Sequence, residues 1–375
     1  MRILICSDFF YPVLHGGLEK RVYEVAKRLA KKHEIHVITR GLKGLPSHET
    51  HDGVHIYRIS TPSGGLKRES ISDSLAFMGG ALRKGLQLGD FDIYAAEEFV
   101  PLVPLGIVAK SRGGPLIVTL HDVYRENLLR EFRFKGGFLA TLEKRMLKLP
   151  YTKIITVSTS AKEKLIKNGV SESVIEVIPN GVDVNKFGRI KAVKPAKQRV
   201  IYVGRLVWNK HVDDLLNAFS KLDSDTELYI VGWGPKRRNL EVLAQKLGIG
   251  HRVTFTGFVS EEEKIELLKS ADVLVLPSSF ESFPVVVVEA WASHTLVVAS
   301  DIPALRTLIK NRKTGLTFRL RDVENLTKKL KQALDGKLCR KITNTCYALV
   351  REKFTWDKIA EKVENTFRSC VNKTA

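Results

Sequence analysis

The chain has 375 residues, 44% hydrophobic and 27% charged, which excludes a disordered or low-complexity protein and suggests two domains of ordinary size. Its formal net charge of +20 is spread over both halves and favours anionic partners: nucleic acid, an anionic membrane surface or phosphorylated small molecules. Cys6, Cys339, Cys346 and Cys370 lack CxxC spacing, so neither a zinc site nor a disulfide framework is suggested, and a reducing cytoplasm fits.

The opening apolar run in MRILICSDFF is too short for a signal peptide and stops at Asp8. No stretch reaches the roughly 18–20 apolar residues of a membrane span, so the protein is expected to be soluble or to sit on a surface. Residues Arg2 to Ser7 have a buried-strand pattern, followed by a loop with Pro12, Gly16 and Gly17. A helix is predicted from Leu18 to Lys32, with Val22, Val25, Ala26 and Leu29 on one face. Paired glycines before a helix N-terminus let backbone N–H groups approach an anion.

Strand-like runs recur at 35–39, 54–59, 91–95, 116–120, 153–157 and 174–178 with helix-like stretches between them, the alternation of a parallel sheet covered on both faces. His121 follows the 116–120 strand and so stands at the sheet's carboxyl edge, where open α/β sheets bind ligands. Asp90-Phe91-Asp92 has the spacing of a metal-binding DxD but falls at a strand start, and is read as structural. Between Arg125 and Lys148, seven basic residues interleave with Phe132, Phe134, Phe138 and Met146, a composition suited to an anionic membrane surface as well as to a covering helix.

Residues 188–199, basic and without periodicity, are expected to link an N-terminal domain, 1–187, to a second domain, 200–354. There the alternation restarts, with strands at 200–203, 228–231, 253–255, 273–276 and 296–299 and helices at 212–221, 236–247 and 261–270. Gly204 and Arg205 lie just past the first of these strands and Lys210 at the start of the next helix, two cations flanking one crevice. The apolar strand at 273–276 runs into a loop with Glu281, and Glu289 follows eight residues on, with Pro284 suited to a first helical turn. Beyond Asp301 come a short helix, a strand at 315–318 and three amphipathic helices at 323–334, 339–352 and 355–370.

These motifs resemble the retaining glycosyltransferases of glycosyltransferase family four. The resemblance runs almost end to end: Gly16-Gly17 with LEKRVYEVAKRL, IPNGVD at 178–183, VGRLVWNKHVDDLL at 203–216, IVGWGP at 230–235, FTGFVS at 255–260 and ADVLVLPSSFESFPVVVVEA at 271–290. Glu281 and Glu289 stand as that family's E-x7-E pair. The resemblance implies a GT-B architecture, an α/β fold of two doubly wound Rossmann-like domains facing each other across a deep cleft. It also implies donor binding in the C-terminal domain, acceptor binding in the N-terminal one, and a last helix, 355–375, crossing back.

The implied roles fall on matching residues. Arg205 and Lys210 would hold the donor diphosphate, Glu289 the ribose hydroxyls and Glu281 the transferred sugar; backbone N–H groups from Phe283 through Val285 and Val286 would meet sugar or phosphate oxygens. Gly16 and Gly17 would approach the diphosphate, Gly204 would border it, His121 would lie beside the reacting carbon and the segment with Phe258 would border the base. No cofactor and no metal are implied, because the two cations and helix termini meet the donor's charge.

Val285 to Val288 favour a strand by intrinsic propensity; Pro284 and the resemblance place them in a helix. Ser282, Trp233, His294, Leu296, Thr307 and Ala95 depart from the family pattern and leave donor and acceptor choice open.

The expected function is therefore transfer of a hexose from a UDP- or GDP-sugar to a membrane-associated acceptor, lipid-linked or a growing glycan, by a cytoplasmic enzyme peripheral at the inner membrane face. Alternatives are the same chemistry on a soluble acceptor such as a sugar phosphate, or a GT-B nucleotide-sugar epimerase. A basic nucleic-acid-binding protein has only charge in its favour, since no RNA- or DNA-reading motif is present.

Overall fold

The computed structural model describes residues 1–14, 16–64, 71–123, 141, 143–147, 149, 151–336 and 339–372. The chain divides into two compact units, Met1–Asn180 with Trp356–Ala375, and Gly181–Thr355.

The first unit carries an eight-stranded sheet of β1 (Arg2–Ser7), β2 (Glu34–Arg40), β3 (His48–His51), β4 (Val54–Ile59), β5 (Ile93–Glu97), β6 (Leu116–Leu120), β7 (Lys153–Thr156) and β8 (Ile175–Val177). Their order is β3-β4-β2-β1-β5-β6-β7-β8, with every pairing parallel except that of β3 with β4. Alternation along β1 shows why its sequence is apolar throughout. Ile3 and Ile5 pack toward the helices Gly17–Leu29 and Trp356–Val371, while Leu4 and Cys6 pack toward Ile71–Gln87 and Phe99–Arg112. Both faces are buried, as a parallel sheet requires.

Two expectations shift here. The fifth strand begins at Ile93, two residues later than the apolar run at Phe91 suggests, because Asp92 still anchors the amino end of β1: its carboxylate accepts from the Arg2 backbone N–H at 2.8 Å. The polar β3 was not expected at all; it joins β4 through Asp52 (φ 50°) and Gly53 (φ 76°), a turn whose twist matches a hairpin.

The second unit has six strands, β9 (Gln198–Val203), β10 (Thr226–Val231), β11 (Val253–Gly257), β12 (Val273–Leu276), β13 (Leu296–Ser300) and β14 (Leu316–Phe318). All are parallel, in the order β11-β10-β9-β12-β13-β14. The strand order reverses between β9 and β12 here and between β1 and β5 in the first unit, the switch points at which such sheets bind ligands.

Residues 188–199, expected as the linker, belong instead with the second unit, and the division falls earlier, at Asn180. Residues Val184–Arg189 form a short helix there. Lys269 Nζ donates to the Phe187 carbonyl at 2.9 Å, and Asp272 accepts both from Lys194 Nζ at 2.8 Å and from the Arg199 backbone N–H at 2.9 Å. Val285–Ala292 is a helix despite its four valines. Val287 and Val288 are fully buried, so packing overrides propensity, and Pro284 is the N-cap rather than a residue of the first turn.

Candidate active site

In the second unit the cations come from the turn after β9. The Gly204 N–H donates to the Val231 carbonyl at 3.0 Å, tying this turn to the end of β10. Next to it Gly232 has φ 132°, and a Cβ there would collide with the Gly204 carbonyl, so only glycine fits. Arg205 projects to the surface with no ion-pair partner among the described residues. Lys210 closes a single 3-10 turn, Trp208–Lys210, and the helix Val212–Phe219 starts only after His211 at φ 45°; Lys210 is therefore just outside the helix, not at its start.

Glu281 sits in the loop after β12. That loop is laced to the Lys210 turn, since the Ser279 N–H and Oγ both donate to the Asn209 carbonyl at 2.9 and 3.3 Å. The result is a direct pair: Lys210 Nζ lies 2.5 Å from Glu281 Oε1, and both side chains are largely buried. Sequence reasoning assigned the two residues to different parts of a ligand; the structure joins them.

Glu289, only 4% exposed on the helix Val285–Ala292, is held by Lys264 Nζ at 2.7 Å. Lys264 does not stand out in the sequence, where it is one of two lysines in a helix with four glutamates. Val285 and Val286 occupy the first helical positions, where backbone N–H groups have no intrahelical acceptor. Phe283 is buried, its ring 6.3 Å from that of Phe354, while Phe258, just past β11, is 76% exposed.

The first unit presents a different edge. Gly17 opens the helix Gly17–Leu29 and Gly16 is its N-cap, as an anion site requires. The buried Glu19, third in that helix, turns its carboxyl group back onto Gly16, so that an acidic side chain already faces this N-terminus.

His121 follows β6, is buried, and among the described residues has no hydrogen-bond partner for Nε2. Burial, with Arg21 nearby, pushes its imidazolium down to about 3, so the ring is neutral at ordinary pH. Its backbone N–H donates to Glu98 Oε1 at 3.0 Å. Glu98 itself is strained, at φ 71° and ψ −177°, a region that side chains rarely enter. Glu97, at the end of β5, accepts from Thr119 Oγ1 at 3.1 Å and leaves Oε2 unpartnered among the described residues.

Burial drives the Glu97 carboxyl up to about 7 against the pull of Arg21, and Glu98 up to about 8 against the His121 hydrogen bond. Arg21 donates to the Pro179 carbonyl at 2.7 Å and to Asn180 Oδ1 at 3.1 Å, with Nη2 unpartnered among the described residues. Sequence reasoning passed over Glu97, Glu98 and Arg21. Glu97 and Glu98 carry the same signal as His121, a place at the carboxyl end of a buried strand, whereas Arg21, inside the helix Gly17–Leu29, carries none.

Most of the basic aromatic segment 125–148 lies outside the described residues. No group of three metal-ligating side chains is gathered among those that are described.

Residues 15–186 match the family described as Glycosyltransferase Family 4, and residues 184–348 the family described as Glycosyl transferases group 1. The chain belongs to glycosyltransferase family four.

An uncharacterised glycosyltransferase of Methanocaldococcus jannaschii is 28% identical over 98% of both chains. A D-inositol 3-phosphate glycosyltransferase of Salinispora tropica is 27% identical over 95% of this chain and 81% of its own. Among solved structures, sucrose-phosphate synthase from Thermosynechococcus elongatus superposes with a TM-score of 0.83 at 21% identity over 98% of both chains. The Anabaena protein HepE in complex with UDP-glucose does so at 0.78, with 19% identity over 98% of this chain and 100% of that one. The glycosyltransferase has the GT-B fold, with two parallel-sheet α/β units.

Proposed function

We propose that this glycosyltransferase moves a hexose, with retention at its anomeric carbon, from a nucleoside diphosphate sugar to an acceptor hydroxyl. The observation that carries the reading is the pairing of Lys210 with Glu281 beside the exposed Arg205, where the strand order reverses between β9 and β12. A donor entering there meets two cations for its diphosphate and a carboxylate already oriented by one of them for sugar hydroxyls. Glu289, held by Lys264, offers a second hydroxyl acceptor for the ribose.

In the reaction the bond from the anomeric carbon to phosphate breaks as the acceptor oxygen bonds to the same face, and the acceptor proton passes to the leaving phosphate. Arg205 and Lys210 stabilise the charge that grows on that phosphate, so the donor's charge is met without a metal. His121, neutral and with a free Nε2, supplies a hydrogen-bonding atom and not a charge. The first unit takes the acceptor.

UDP-glucose is the first donor to test, since HepE, a protein of the same fold, holds it. The net charge of +20 favours an acceptor at an anionic membrane face on the cytoplasmic side. A soluble phosphorylated acceptor is the second reading, favoured by the likeness to D-inositol 3-phosphate glycosyltransferase over 95% of the chain.

Thermal unfolding with a panel of UDP- and GDP-sugars tests the donor: the true one raises the melting temperature of the wild type and not of Glu281→Ala. Equal shifts in both proteins would remove the site assignment. Product analysis with donor alone exposes an epimerase, and transfer to a lipid extract against transfer to sugar phosphates separates the two acceptor readings.

A further inference from the structure

The helix Ile71–Gln87 shows solvent an apolar stripe where a soluble domain's covering helix shows polar residues. Ile71 is 73% exposed, Leu75 60% and Leu86 41%, and with Gly79 and Arg83 they recur at helical spacing along one face. The helix Phe99–Arg112 packs beside it, with Gly85 against Val108, and adds Val103 at 39% and Ile107 at 51% exposure. Five of the exposed large apolar side chains thus gather on two neighbouring helices, and a shallow groove lined by Gly79, Leu82, Arg83, Leu86 and Gln87 runs along the first.

Charge identifies what covers this face. Arg83 and Lys110 are exposed on the two helices, and neither has an acidic partner among the described residues. Lys84 and Arg112 add positive charge, Arg112 being paired with Asp90. The only acid within the two helices, Asp73, is fully buried and accepts from the Ser63 backbone N–H. A protein partner matched to apolar side chains alone gains nothing from cations without acids between them. A bilayer with anionic head groups matches both, taking the apolar side chains at the level of the acyl boundary and the Arg and Lys at the head groups.

We propose that the face built from Ile71, Leu75, Leu86, Val103 and Ile107, with Arg83 and Lys110, docks on an anionic lipid bilayer. This extends the membrane-facing acceptor reading, yet it is measured without any acceptor.

The test is flotation of the full chain with vesicles of phosphatidylglycerol and phosphatidylcholine, compared with phosphatidylcholine alone. Wild type floats with the anionic vesicles only. Leu75→Glu/Ile107→Glu stays behind, and Arg83→Glu partitions roughly 30-fold more weakly, from about 1 kcal/mol lost and another opposed. Both variants keep the wild-type melting temperature and the wild-type shift with UDP-glucose, since these positions are exposed and outside the donor site.

The proposal is overturned if wild type ignores anionic vesicles or if the double variant floats like wild type, which would move the contact to another surface. It is also overturned if wild type is a dimer that the double variant converts to monomer, for the face is then an interface between copies. Transfer to a lipid extract can fail while flotation succeeds, so the acceptor reading and the docking face fall separately.

Discussion

The carboxyl edges of the two sheets handle charge in opposite ways. After β9 and β12, each charged candidate side chain is paired or exposed: Lys210 with Glu281, Glu289 with Lys264, Arg205 in solvent. After β5 and β6, three buried groups are driven toward neutrality around the charged Arg21: His121 without its proton, Glu97 and Glu98 holding theirs to higher pH. The first arrangement suits a permanently anionic donor, whose charge must be met at any pH. The second suits an uncharged hydroxyl, which gains from neutral hydrogen-bonding atoms.

The sharpest way to break this comparison is to remove one ion from the charged edge. Lys210→Ala should lower kcat by about 10²–10³-fold, the scale of losing one preorganised group that stabilises transition-state charge. It should also lower stability, because Glu281 is left largely buried and unpaired. Arg205→Ala should lower kcat/KM by about 10²-fold, with stability unchanged to about 0.5 kcal/mol, since no partner is abandoned. Steady-state kinetics alongside urea unfolding separates the two; a stability loss in Arg205→Ala equal to that in Lys210→Ala would contradict the difference drawn between them.

A smaller effect is expected at Glu289. Lys264→Met keeps the carboxylate but removes the cation that orients it, and donor KM should rise about tenfold at constant kcat, a uniform-binding loss. A fall in kcat with KM unchanged would instead place Glu289 against the reacting sugar.

What the sequence made legible follows from burial. The parallel strands read as continuous apolar runs because both faces are covered, so β1, β6 and β12 coincide with their predicted bounds. Arg205, Lys210, Glu281 and His121 stand out in the sequence because a strand end followed by a loop marks the edge where open α/β sheets bind ligands. The same logic failed one strand over: the apolar run was closed at Ala95, although β5 continues to Glu97 and carries two carboxylates to the same edge.

Polar β3 carries no apolar alternation, and only Asp52-Gly53 announces its turn. Lys264 had no local signal, since its role depends on a helix meeting another one 25 residues away. The linker was misplaced because a basic, aperiodic stretch looks unanchored, whereas Lys194 and the Arg199 backbone are tied down by Asp272.

The least disruptive probe of the neutral edge is pH. Glu97 and Glu98 are raised from an ordinary value of 4.5 to about 7 and about 8, so the folded chain keeps protons that the unfolded chain has released. Stability from this source is complete below the unfolded value and is lost as pH rises through the folded ones. His121 has the opposite sign: lowered from 6.5 to about 3, it contributes stability present above 6.5 and lost as pH falls, and so is silent in the window that matters. Between pH 6.5 and 9 the melting temperature should therefore fall by several degrees, each kcal/mol of lost stability shifting it by about 2–4 °C in a domain of this size. Glu98→Gln, neutral at every pH, should flatten the fall, while Glu281→Gln at the charged edge should leave its slope as it is. If both substitutions flatten it equally, the two edges do not differ in the way their burial implies.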